Sequence, residues 1–169
     1  IEACDVPTIA RLHGHAIGGG LALALACDFR IAAHGTLFHV PEVDLGIPLS
    51  WGATPRLVHE IGAARAREMI LMCEPVESEL ALAWGLVHRS VPAESLDAAV
   101  DAWARRLVAK PEVAVHMTKT QFRSYALRAR LGDVTETDGD VLREASRGAI
   151  ARASFPAKGG SGRVGPEGP

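Results

Sequence analysis

Three consecutive glycines, Gly18-Gly19-Gly20, divide an apolar run from a run of small residues. Glycine loses more backbone freedom on folding than any other residue. Three in a row are therefore retained where the chain must turn tightly or let another group approach its backbone. Upstream, residues 6–12 (VPTIARL) read as a short buried strand that ends at Gly14. Downstream, LALALAC reads as a small-residue helix stopped by Asp28. Residues 29–33 (FRIAA) and 37–40 (LFHV) read as two further strands. Strand, glycine turn, helix, strand is the order of a βαβ unit and predicts an α/β chain.

Residues 41–50 (PEVDLGIPLS) form a loop by their prolines and Gly46. From Trp51 the pattern becomes helical. TPRLVHEIG and ARAREMILMC carry apolar residues at three- and four-residue spacing. A short helix begins at Glu77-Ser78-Glu79 and closes at Gly85, and residues 86–91 (LVHRSV) read as a last strand. Residues 94–109 form an amphipathic helix with Leu96, Val100, Trp103, Leu107 and Val108 on or beside one face. Pro111 starts the next helix, expected to run to about Leu131. Gly132 and Asp133 separate it from a final helix through Ala151. The end, PAKGGSGRVGPEGP, has almost no apolar content and is expected to be disordered. No internal repeat stands out.

Bulk composition narrows the function classes. The 169 residues are 48% hydrophobic and 22% charged, enough apolar material for a core. The net charge of -2, with no cluster of Lys and Arg, argues against a nucleic-acid partner. No apolar run reaches the roughly 18–20 residues of a membrane helix. Cys4, Cys27 and Cys73 form no CxxC pair, so neither a disulfide framework nor a zinc site is expected. A reducing cytoplasm is the default compartment.

Two constellations could carry chemistry. The amides of the glycine turn can point at an anion or a polarised oxygen, or the glycines can simply let a helix pack closely on a strand. A Walker-type loop from Gly14 would need Lys where Gly20 stands. A GxGxxG from Gly18 would need Gly where Leu23 stands. Both nucleotide motifs fail. Glu42 lies in an otherwise apolar loop, HVPEVDLGIPL. Apolar surroundings favour the protonated form of a carboxylate, which suits a general acid/base; a solvated or Arg-paired loop residue is the alternative. Asp44 reads as solvated or capping. His13 and His15 would share a strand face, with no third metal ligand at a useful spacing. Ser50 and Trp51 read either as lining a substrate site or as an N-cap followed by a core aromatic.

The strings PTIARLHGHAIGGGLALALACDFRIA, FHVPEVDLGIPLSWGATPRL and ALAWGLVHRSV together resemble the crotonase (enoyl-CoA hydratase/isomerase) superfamily. The resemblance implies a ββα spiral core over residues 1–92, incomplete at its N-terminus. It implies an α-helical trimerisation region over 93–153, with the tail at 154–169. It implies an acyl-CoA thioester substrate, with coenzyme A entering as part of it and no separate cofactor or metal. A homotrimer or hexamer is the implied assembly. Two backbone amides in this family hold the thioester oxygen, one of them at the place of Gly19, flanked by Gly18 and Gly20. The other lies in an upstream AGAD-like segment. Hydratases of the family use two glutamates around a water. One falls on Glu42; the other falls on Ala22. Dienoyl-CoA isomerases need an acid at the place of Ser50. The pattern that remains is similar to single-glutamate enoyl-CoA isomerases, with Ile47, Ser50 and Trp51 as candidate pocket residues. Members of the family run to about 250 residues in one domain. On that scale about 80–100 residues would precede Ile1, and the 169-residue piece alone is expected to be inactive and poorly folded.

Overall fold

The computed structural model describes residues 1–128 and, beyond them, positions 139, 140, 143–145 and 147. Strand β1 covers Ile9–Leu12 and β2 covers His15–Ile17. The strand expected from Val6 is therefore shorter and is followed by a second one. Pro7 has no N–H to give to a ladder. The Thr8 N–H is taken by the Asp28 carboxylate at 2.6 Å instead of by a neighbouring strand. Between β1 and β2 the chain bends at Gly14, whose φ of 68° suits glycine. His13 and His15 thus flank a turn and do not share a strand face.

Helix α1 (Gly19–Leu25) follows, then β3 (Phe29–Ala33) and β4 (Leu37–His39). The elements β1-β2-α1 are succeeded by β3-β4 and, after a loop, α2 (Ala53–Ile61). Each unit sends one strand to each of two sheets. β1 pairs in parallel with β3 (Ile9 opposite Phe29), and β2 in parallel with β4 (His15 opposite Leu37). The backbone thus carries a ββα repeat that the side-chain sequence does not display. The remaining elements are α3 (Ala63–Leu71), β5 (Val76–Glu77), α4 (Ser78–Trp84), β6 (Arg89–Val91), a 3₁₀ turn at Ala93–Ser95, α5 (Leu96–Val108) and α6 (Glu112–Arg128). The first sheet has the order β1-β3-β6, all parallel; the second is β2-β4-β5, with β5 antiparallel. Gly62 splits the long helical pattern into α2 and α3 at a φ of 80°.

The main core gathers Leu21, Leu25, Phe38, Val40, Leu57, Met69, Leu86 and Val87. A smaller cluster of Ile31, Ala33 and Leu96, with Trp103 and Val100 against it, seats α5 on the first sheet. Val108, expected on or beside that apolar face, is 85% exposed. Arg30 is buried at 1% exposure. Its guanidinium donates to the Leu86 and Cys27 carbonyls and to Glu60 (2.7, 2.9 and 2.5 Å), so its charge is fully partnered.

Helix α6 is held by its charged side. The buried Lys119 ammonium donates to the Val6 carbonyl and the Asp28 carboxylate, each at 2.7 Å. Val113, Met117, Phe122 and Tyr125 are left exposed. The expected extension to Leu131, most of the helix through Ala151 and the tail at 154–169 lie outside the described residues. No helix among the described residues is long and apolar enough to cross a membrane.

Candidate active site at the glycine turn

Parallel pairing of β2 with β4 decides where the site forms. Ile17 lies opposite His39, so both strands end at the same edge of the sheet. The glycine turn leaves one end and the Pro41–Ser50 loop leaves the other. Ligands of parallel sheets commonly bind outside such carboxyl ends. The Gly18 N–H ties the two together by donating to the His39 carbonyl at 2.9 Å.

The glycines then differ in what they permit. Gly18 is buried with φ 50° and ψ -113°. A Cβ there would stand 2.5 Å from Glu42 Oε1 and 3.3 Å from its carboxyl carbon. Only a glycine lets the Glu42 carboxylate lie against this turn. A Cβ at Gly19 would stand 2.8 Å from Cζ3 of the Trp51 ring. At Gly20, exposed, a Cβ would meet nothing within 4 Å. The close approach is therefore made by two loop side chains, and Gly20 is not needed for it. The N–H groups of Gly19, Gly20 and Leu21 have no acceptor one turn back inside α1. Ala22 N–H is the first to bond back, to the Gly18 carbonyl at 3.0 Å.

Glu42 is half-buried, and its Oε2 is fully buried without a hydrogen-bond partner among the described residues. Leaving a buried acceptor unpaired costs about 1–3 kcal/mol, more for a charged group. Glu42 forms no ion pair among the described residues, so the Arg-paired alternative does not apply. The same carboxylate lies against the glycine turn through its Oε1, and an unpaired carboxyl oxygen there is a candidate for proton exchange with a bound molecule. Asp44 is exposed, as expected of a solvated residue. Ile47, half-buried, donates its N–H to the Glu42 carbonyl at 2.9 Å and so closes the loop behind the carboxylate.

Trp51 is not a core aromatic: it is 59% exposed. Its φ of 58° is an outlier for a bulky residue and costs about 1–3 kcal/mol. Its ring lies on the Gly19 backbone. Ser50 is half-buried and offers its carbonyl to Ala53 N–H at 3.1 Å. Its hydroxyl does not cap α2, whose N-cap position is Gly52. Ala22, at 4% exposure, borders an open cleft of about 390 Å³. Leu23 and Ala26 continue that floor, Trp51 and Arg56 wall it, and residues 1–3 face it.

Two participants were invisible in the sequence. Arg56 lies in α2, and its guanidinium pairs through Nε and Nη2 with the Glu2 carboxylate across 54 residues, the second contact at 2.7 Å. Its Nη1 donates to the Trp51 carbonyl at 2.6 Å. No local spacing signals such a pair. The histidines stay outside the site. His39 Nε2 is 2.8 Å from the Cys73 carbonyl, and His88 Nδ1 accepts from Arg30 N–H at 3.2 Å. His13 and His15 are exposed. Among the described residues no group of three His, Cys, Asp or Glu is placed to hold a metal ion.

The pattern of the enoyl-CoA hydratase/isomerase family matches residues 1–154. With the ββα spiral and the glycine turn, this places the chain in that family. Crotonyl-CoA hydratase of Syntrophomonas wolfei is 40% identical over 119 residues, covering 70% of this chain and 46% of that protein. The chain thus spans about half the length of the curated relatives it matches. The crystal structure of an enoyl-CoA hydratase from Mycobacterium avium subsp. paratuberculosis superposes with a TM-score of 0.82 at 31% identity, over 91% of this chain and 65% of that one. A putative enoyl-CoA hydratase from Thermobifida fusca, solved in complex with CoA, superposes at 0.69 with 35% identity, over 89% and 56%.

Proposed function

We propose that the protein carrying this chain moves a double bond in an enoyl-CoA thioester, with Glu42 as its single acid/base. One observation carries the reading: Glu42 brings an unpaired buried oxygen to the glycine turn, while Ala22 occupies the place of a hydratase's other glutamate. The thioester oxygen accepts from the Gly19 N–H. Glu42 takes a proton from C2 of a 3-enoyl group, and the electron pair spreads through C3 and C4 and onto the oxygen. The same carboxyl then returns the proton at C4. The product is the 2-enoyl thioester, and Glu42 is regenerated. Without such a donor an α-proton is too weakly acidic to remove; losing one oxyanion donor typically costs about 3–4 kcal/mol. The chemistry is proton transfer only, so coenzyme A is needed as part of the substrate and no other cofactor is required.

The test is a paired assay on 3-hexenoyl-CoA and crotonyl-CoA. Double-bond migration should dominate, and Glu42→Gln should lower it by about 10²–10⁴-fold. Fast hydration of crotonyl-CoA without migration would overturn the reading. That outcome would favour a hydratase, the activity named for the relatives above, drawing its second group from another part of the protein. Thioester binding without any turnover would point to a non-catalytic acyl-CoA-binding protein. For the assembly we propose a homotrimer or hexamer that uses the exposed Val113, Met117, Phe122 and Tyr125 of α6. Phe122→Asp with Tyr125→Asp should lower the mass seen by light scattering; an unchanged mass would remove α6 from the contact.

A further inference from the structure

We propose that Arg56 is a positioning residue for this site: it holds the Trp51 ring against Gly19, and Glu2 holds Arg56. The inference rests on the proposed function for its catalytic consequence only.

The indole is more than half exposed, so burial does not fix it. Its backbone is in the left-handed region, which a bulky residue keeps only when its surroundings impose it. The ring touches Gly19, and the carbonyl accepts from Arg56 Nη1 at 2.6 Å. Arg56 offers a firm base. Its neighbour in α2, Leu57, is fully buried in the main core. The rest of its fork is occupied by the Glu2 carboxylate, which gives the guanidinium one orientation. Glu2 and Arg56 thus bridge the cleft whose floor begins at Ala22. Releasing Arg56 frees the Trp51 carbonyl, and the ring then leaves the Gly19 backbone. The space beside the amide and along Ala22 changes with it. Lysine can still reach one acceptor but cannot serve Trp51 and Glu2 together.

The experiment has two arms. In the first, Trp84, Trp103 and every tryptophan outside this chain are replaced by Phe, so that Trp51 is the one indole excited. Arg56→Gln and Glu2→Gln should then increase acrylamide quenching and lower the anisotropy, with Arg56→Lys in between. Unchanged quenching and anisotropy in both Gln variants would overturn the proposal, whatever the protein catalyses. Circular dichroism identifies a variant that has merely unfolded, in which case Glu2→Gln decides. In the second arm, kcat and KM are measured on 3-hexenoyl-CoA and 3-decenoyl-CoA. Arg56→Gln should lose about tenfold in kcat/KM, the size of one charge-assisted hydrogen bond. The ratio between the two substrates should shift, and the pH profile should stay where it is. A freed Trp51 with unchanged kinetics on both substrates would overturn its role at the site. Absence of turnover in the parent protein would count against the proposed function and leave the first arm to decide the hold on Trp51.

Discussion

At the scale of single residues the site is a matter of missing side chains. Gly18 lacks a Cβ where the Glu42 carboxylate lies, and Gly19 lacks one where the Trp51 ring lies. Gly18→Ala would combine a positive φ with a 2.5 Å clash. It should cost about 1–3 kcal/mol, and by displacing Glu42 it should abolish double-bond migration. Gly20→Ala makes no close contact and removes a helical glycine. It should be neutral or stabilise by up to about 1 kcal/mol, with turnover kept. Thermal melts and 3-hexenoyl-CoA rates on the two variants check both statements. Equal loss in both would mean that the three glycines act only as a flexible turn. Glu42 itself was legible because a lone carboxylate between Val40-Pro41 and Val43 is conspicuous. Arg56 was not, because its partner is 54 positions away and its meaning arises from a carbonyl geometry.

At the scale of elements, α2 and α6 are held by opposite physics. Helix α2 is anchored by Leu57 in the core, so Leu57→Ala should cost about 2–5 kcal/mol and lower the melting temperature of the whole unit. Helix α6 is anchored by Lys119 on Asp28 and Val6. Lys119→Met should release that helix: amide exchange over residues 112–126 should accelerate while the strands stay protected. Uniform acceleration would instead show that α6 is one cooperative unit with the sheets. Pro111 announced the start of α6 but not its orientation. Among the described side chains of α6 the most buried is Lys119, while Val113, Met117, Phe122 and Tyr125 are exposed, the reverse of the usual amphipathic rule.

At the scale of the molecule, two titrating groups shape acid stability. Burial, then the nearby Arg30, hold His88 below its ordinary value of 6.5. The unfolded chain therefore binds more protons between the lowered value and 6.5, and stability falls as pH drops through that interval. His88→Phe, which keeps the edge contacts with Phe29 and Trp103, should flatten that slope in melts from about pH 7.5 to 5. Burial raises the Asp28 carboxyl, but hydrogen bonds from Lys119 and Thr8 outweigh it and hold it below 3.8. Its contribution is present above 3.8 and is lost as pH falls below that toward the lowered value. In Lys119→Met, which removes one of the groups that hold the carboxyl down, this second loss should shrink. Through the family resemblance the sequence implied a ββα spiral and Ala22 in the place of a second acid; by itself the amino-acid order determined the α/β class, the glycine turn, the helical second half and Glu42 as the candidate base. These follow from local backbone preference, periodicity and residue chemistry, which are properties of neighbouring positions. Only the tertiary structure decided the pairing of the strands into two sheets, the separate strand at His15–Ile17, the buried Arg30, the exposed Trp51 and the Glu2–Arg56 bridge. Each of these depends on parallel strand pairing or on contacts between distant segments, which bring together groups that no local pattern relates.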